Sequence, residues 1–362
     1  MRRSFAVLVV LGLVLVGCES SNLSRSAAVD VSGRLLRADG SPAAGVVVGL
    51  QRRPNIGEFL GSALLVPLTL FTACLADPPP AICRSGSVRR ATTTADGTYS
   101  FNLTGKDTQG FLGTADTLAL SAELPPAPGE AAGAAVTASF KVQTEQLRLH
   151  DIPFWQPKVT FAPGRIGWDA RTGSSSYQVL LEDGKAQPVW SFSGGNAEAT
   201  FDARILEDTS GSLAVSTTEK TTAEGTTVSI YRRSGRVAYR STAGAPPSRG
   251  KPCTVSTGVA CPLTDGDFTA TVPQPPSPSS TTSSSAPAPP ATATVDLGQS
   301  RSVSLVVVRG CSCQVEGSAD GKTWTALGSS TGYTAVTPPR ATPARYVRVT
   351  GSLGDLREVS VW

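Results

Sequence analysis

The spacing of its turns is what most constrains how this chain can fold. From Val29 onward, short runs rich in Val, Thr, Ser and Gly are cut by turn pairs such as Asp39-Gly40 and Asp96-Gly97. An amphipathic helix needs apolar residues recurring every three or four positions over about ten residues or more. That period is nearly absent here. Alternation with period two, bounded by Gly, Asp and Pro, marks half-buried strands, and many short strands at close spacing build sandwiches. The expected fold class is all-β, in three tandem β-sandwich modules.

The first residues predict an address. Met1, Arg2 and Arg3 make a basic start, and Phe5 to Val16 is almost wholly apolar. This is the layout of a secretory signal, and it falls short of the roughly 20 residues of a spanning helix. It closes with Leu15-Val16-Gly17-Cys18, which resembles the lipobox of bacterial lipoproteins. The resemblance implies cleavage before Cys18 and a diacylglyceryl group on its sulfur. Residues 1–17 are then the signal peptide and 18–28 a lipidated tether, in an extracytoplasmic position on the bacterial cell envelope. Each buried methylene contributes about 0.8 kcal/mol, and two acyl chains hold far more firmly than one. The formal charge of +4 loses two positive charges with Arg2 and Arg3. That near-neutrality argues against nucleic acid as the partner.

With Cys18 lipidated, Cys74, Cys83, Cys253, Cys261, Cys311 and Cys313 remain. An even number suits disulfides in an oxidising compartment. Structural zinc would call on histidine or paired cysteine spacings, and the one histidine is His150. Cys74 and Cys83 flank the stiff turn Asp77-Pro78-Pro79-Pro80 and are the best pair. For the other four, local pairing (Cys253–Cys261 with Cys311–Cys313) and crossed pairing both stay open. A Cys311–Cys313 bond needs a turn, because alternate residues of a flat strand stand parallel and too far apart.

The first module spans 29–155. A strand Val29 to Leu36, a hairpin turn at Asp39-Gly40, a returning strand Pro42 to Leu50 and the later Asp96-Gly97-Thr98-Tyr99-Ser100-Phe101 resemble the carboxypeptidase regulatory-like (transthyretin-like) family. The resemblance rests on Gly33, Gly40, Pro42, Gly45, Asp96, Gly97, Tyr99 and Phe101. It implies a small non-peptidase sandwich with Tyr99 and Phe101 pointing inward. An apolar insertion, 57–83, interrupts it and reads either as a buried helix or as a patch for a partner. The second module, 156–231, has strand-like pieces at Val159-Thr160-Phe161, Arg165 to Trp168, Ser176 to Leu181 and Gly211 to Ser216. Trp168 followed by Tyr177-Gln178-Val179-Leu180-Leu181 resembles fibronectin type III domains, which places both aromatics in the core.

The third module, 232–362, carries Leu263-Thr264-Asp265-Gly266-Asp267, then Val295-Asp296-Leu297-Gly298, Ser318-Ala319-Asp320-Gly321-Lys322-Thr323-Trp324 and Arg345-Tyr346-Val347-Arg348-Val349. In that order they resemble the discoidin (coagulation-factor type C) family. The resemblance implies a jelly-roll sandwich that binds sugars, phospholipid headgroups or protein surfaces through loops at one end. It also makes Trp324 a core residue. Two departures stand out: Phe268 replaces the Trp usual after Asp-Gly-Asp, and a Pro/Ser/Thr stretch, 273–293, is too polar to pack and is expected to be disordered.

No catalytic constellation emerges. His150 ends a polar strand, there is no Gly-x-Ser-x-Gly, and no phosphate loop is present. Asp265 and Asp267 are candidate calcium ligands, since calcium collects several oxygens; the competing reading is a capped turn. Trp155, Trp190, Trp324, Tyr333 and Trp362 are candidates for an aromatic sugar platform. Tyr333 is the most loop-like, and Arg345 joins it as a candidate ligand contact. Arg232, Arg233, Arg236 and Arg240 form a basic cluster that would attract anionic polymers or simply line a solvated strand edge. The expected function is a non-catalytic, lipid-anchored surface protein whose last module binds glycan or cell-wall polymer. The alternative is a structural envelope lipoprotein that scaffolds envelope proteins. An enzyme would need a cleft gathering buried carboxylates.

Overall fold

The computed structural model describes residues 21–53, 88–110, 114–269, 271–272 and 291–362. Cys18 and the signal, the insertion 57–83 with Cys74 and Cys83, and positions 273–290 lie outside them. The described chain is all-β, in several sandwich-like sheets. None of its helices is long and apolar enough to cross a membrane. It divides into two compact units. One runs up to Lys158 and adds Ala170–Tyr177 and Ser216–Arg236; the other takes Val159–Asp169, Gln178–Val215 and Val237–Trp362. The stretch 156–231 therefore contributes strands to both.

In the first unit, Ala28–Leu36 lies between antiparallel Thr98–Thr104 and parallel Gln146–Arg148. A second sheet runs Thr226–Arg233, Ala135–Lys141, Thr117–Glu123, Val47–Arg53, Val88–Thr92. Period-two burial puts Val29, Val31, Leu35, Tyr99, Phe101, Val48, Leu50, Leu118, Leu120 and Phe140 into one shared core. Tyr99 and Phe101 do point inward, at 4% exposure each. The expected hairpin across Asp39-Gly40 forms only around its turn, where Arg37 N–H donates to the Ser41 carbonyl at 2.8 Å and Ala43 N–H to the Leu35 carbonyl at 3.0 Å. Beyond a single bridge, Leu36 to Pro42, the chain turns again at Gly45, where φ is +72°, and Val47–Arg53 joins the other sheet. Thr93 secures that crossover, its hydroxyl accepting from Val46 N–H at 2.9 Å and donating to the Ala43 carbonyl at 2.6 Å.

Trp155 is 6% exposed against Tyr177, with ring centroids 5.8 Å apart, so it is core and not a platform. Two members of the basic cluster are not free either. Arg232 is 1% exposed, paired with Glu219 at 2.6 Å and donating to the Pro153 carbonyl at 2.8 Å. Arg233 pairs with Glu123 at 3.1 Å. His150 Nε2 meets the Thr222 carbonyl at 2.9 Å, a structural contact.

In the second unit, Trp168 and Trp190 are each 6% exposed, and Trp190 packs 4.5 Å from Phe201, so Trp190 too is core. The C-terminal eight strands form two sheets. Cys253–Val255, Ala291–Val303, Thr342–Gly351, Cys313–Ser318 and Thr325–Ser330 make five; Tyr333–Val336, Val306–Arg309 and Glu358–Val361 make three. Residues 291–293, expected in the disordered stretch, belong to a strand. Val306, Val308, Val359 and Val361 face the sandwich core. The alternate residues Val307, Arg309, Glu358 and Ser360 should face water, yet all are buried. The three-stranded sheet is covered on both faces.

Two glycines test the turn chemistry. Gly40 and Gly97 both have positive φ, +83° and +80°. A Cβ at Gly40 meets nothing within 4 Å, whereas one at Gly97 lies 2.5 Å from the Leu35 carbonyl oxygen. Gly40→Ala is expected to cost about 1 kcal/mol, the left-handed penalty alone, and Gly97→Ala about 3 kcal/mol. Guanidinium unfolding of the two variants checks the order.

Candidate functional site

Strand register defines the two ends of the C-terminal sandwich. Ala291 and Cys313 both pair with Gly351, Cys313 pairs with Ser330, and Arg309 pairs with Tyr333 and Glu358. The short connections 310–312, 331–332 and 352–357 therefore gather at one end. The turn after Cys253–Val255 points the same way, since Val255 pairs with Ala293.

This end is braced covalently and by backbone hydrogen bonds. Cys253 bonds to Cys261, and Cys311 to Cys313, so the local pairing is the one adopted. Cys253–Cys261 closes the turn in which Val255 N–H donates to the Val259 carbonyl at 2.8 Å. Val259, at its tip, is 49% exposed. Cys311–Cys313 follows the turn at Gly310, where φ is +97°. A Cβ at Gly310 would collide with the Asp355 carbonyl, so two loop backbones pack directly. Gly310 N–H donates to Gly332 at 3.0 Å, Gly332 N–H to Cys311 at 3.2 Å and Arg357 N–H to Arg309 at 2.8 Å. Loops fixed in this way lose little freedom when a ligand arrives.

Tyr333 belongs to this end. It is not in a loop, as the sequence suggested, but is the half-buried first residue of Tyr333–Val336. Arg345 is elsewhere, on the other sheet and six residues before Gly351, roughly 20 Å along the strand. There it forks onto Asp296 with two 2.9 Å bonds and lies 4.9 Å from the Tyr346 ring centroid. The structure does not bring Tyr333 and Arg345 together. Trp324, expected in the core, is only half-buried, with the Arg348 guanidinium 4.1 Å over its ring and held there by Glu316. Trp362, also half-buried, follows the last strand with its backbone N–H on the Leu305 carbonyl at 2.9 Å.

Asp265 and Asp267 serve their turn. Asp265 accepts from Asp267 N–H at 2.8 Å. Asp267 accepts from the Thr269 hydroxyl and N–H at 2.7 and 3.0 Å and from Lys185 at 3.0 Å. Those bonds, the Thr269 hydroxyl first, hold its carboxyl down to about 2. Among the described residues no three His, Cys, Asp or Glu side chains gather as a metal set. Two engaged carboxylates fall short of the about six to eight oxygens calcium takes.

Sequence reasoning missed the charged cluster behind the loop end. Glu207 is 1% exposed, with φ +52°. It accepts from Arg309 at 2.9 Å, from the Ser360 hydroxyl and from Arg249. Arg309 is fully buried, donates to the Ile205 carbonyl at 2.6 Å and lies 4.3 Å over the Phe268 ring. Glu358 sits beside them at 0% exposure. Gly266 has φ +83°, a left-handed backbone that explains the glycine of Asp-Gly-Asp, and the Arg249 guanidinium lies against it. The visible signal was Val306-Val307-Val308-Arg309, an apolar strand ending in a charge. Glu207 and Glu358 are both sealed from solvent.

No family model matches the chain, and no curated protein matches it. Solved structures do. A selenomethionine-labelled mutant of chitosan-binding module 1 from a Paenibacillus sp. IK-5 chitosanase/glucanase is 22% identical, with a TM-score of 0.26, over 32% of this chain and 97% of that one. Chitosan-binding module 2 of the same enzyme, in complex with chitotriose, is 19% identical, with a TM-score of 0.26, over 32% and 98%. The lectin domain of lectinolysin complexed with Lewis B antigen is 20% identical, with a TM-score of 0.24, over 32% and 95%.

The two disulfides close loops of different size. By loop-closure entropy, replacing Cys253 and Cys261 by Ala is expected to cost about 2.5 kcal/mol, and replacing Cys311 and Cys313 about 1.5 kcal/mol. Denaturant unfolding under oxidising conditions measures both.

Proposed function

We propose that this chain is a lipid-anchored, non-catalytic protein of the bacterial envelope that binds glycan or cell-wall polymer at the loop end of its C-terminal sandwich. The observation that carries the reading is the bracing of that end. Two short-range disulfides and four direct loop contacts hold 256–260, 310–312, 331–333 and 352–357 in place. Rigid, pre-organised loops at one end of a sandwich are what a binding module needs. The order of the four discoidin-like motifs supports the same role. The lipid anchor rests on Leu15-Val16-Gly17-Cys18.

The partner chemistry is open to direct trial. Chitotriose and Lewis B antigen, named for two of the similar structures, are the first glycans to try, followed by peptidoglycan and teichoic acid fragments. The covered three-stranded sheet decides what to test. A fragment starting at Arg232 would lack Glu207 and bare Arg309 and Glu358, so the full-length chain in detergent micelles is the right probe. Saturable binding on a glycan array, weakened about tenfold or more by Tyr333→Ala, is the expected result. No binding with or without calcium would favour the scaffold reading. Cys18→Ser is expected to move the protein from the membrane fraction to the soluble fraction; retention in the membrane fraction would contradict the anchor.

A further inference from the structure

Among the described residues, the cluster behind the loop end leaves one buried carboxylate without an ion pair. Glu207 and Arg309 are fully enclosed, Arg249 reaches Glu207 from its loop, and Asp265 stands nearby on the exposed turn. Both guanidiniums pair with Glu207, and Asp265 keeps its contact with water. Glu358, from the last strand, is the fifth group. Among the described residues its Oε1 is buried with no hydrogen-bond partner, and its Oε2 takes a long 3.4 Å bond from Gly266 N–H. An ionised carboxylate in that position would hold an unsolvated, unpartnered oxygen beside a second carboxylate, which is costly. A neutral acid there costs much less.

The same residues hold the loop end. Arg309 is the last residue of its strand; its carbonyl accepts from Arg357 N–H, and its neighbour across the sheet is Tyr333. Glu358 opens the strand that follows loop 352–357. We propose that Glu207, Arg309 and Glu358 form a proton-dependent clasp that keeps the loop end closed while Glu358 is neutral and loosens it when both carboxylates are charged. These are positioning residues; none is exposed to a ligand.

Burial, with a smaller push from Glu207, raises the Glu358 carboxyl to about 8, against the pull of Arg309 and Arg249. Because the closed-state value lies above that of the open chain, the clasp's contribution is complete at acid pH. It declines as pH rises and is gone once pH passes the closed-state value. Above that point no further loss is expected.

Amide exchange of the full-length chain tests this, comparing wild type with Glu358→Gln and Glu358→Leu at each pH so that intrinsic rates cancel. The ratio of wild-type to variant exchange at 306–309, 333–336 and 352–357 is expected to rise about tenfold per pH unit from 6 to 8 and then level off. A ratio that stays flat with pH overturns the clasp. The wild-type chain alone supplies a second reading, needed if neither variant folds. The Glu358 carboxyl carbon shift should titrate near 8, and a midpoint below about 5 overturns the proposal.

Discussion

The buried pair of Glu207 and Arg309 is the contact on which the C-terminal half of this structure depends. Two charges removed from water cost several kcal/mol each unless every polar atom finds a partner. Glu207 meets that demand by taking Arg309, Arg249 and Ser360. Arg309 meets most of it with Glu207, Ser360, the Ile205 carbonyl and the face of Phe268. The pair joins the single turn Ala203–Leu206 to the outer face of the three-stranded sheet. That face is thereby covered, and it is the loop-bearing end to which the proposed function assigns ligand binding.

Local features were legible in the sequence. Alternation located the strands at Val159–Ala162, Arg165–Trp168 and Tyr177–Asp183 to within a residue or two. Asp96-Gly97 and Asp39-Gly40 are turns with positive φ at glycine. Pairing partners were not legible, because period two shows which face of a strand is apolar and says nothing of its neighbour. Pro42 to Leu50 therefore read as the return of a hairpin, whereas the strand there is Val47–Arg53 and belongs to the other sheet. Residues 226–231 likewise read as part of the middle module, yet the strand Thr226–Arg233 pairs with Ala135–Lys141.

The candidate site was legible only in part. The cysteines pointed to local bonds as one of two options, and Tyr333 does lie at the braced end. Arg345 does not, because its planar fork is better satisfied by Asp296 across the sheet. The aromatic candidates thinned for a related reason: Trp155 and Trp190 carry the largest apolar surfaces and are drawn into cores. Glu207 could not have been found at all. It lies a hundred residues from Arg309, and its left-handed backbone has no sequence signature.

The most direct measurement is a double-mutant cycle on Glu207 and Arg309 in the full-length chain, using Glu207→Ala, Arg309→Ala and the pair, read by denaturant unfolding of the second unit. A joint that organises this unit predicts a coupling energy of about 3 kcal/mol or more, with the double variant hardly worse than either single one. A coupling below about 0.5 kcal/mol would mean that residues 203–207 merely rest on the sheet, and the account of a sealed face with one open end would fail.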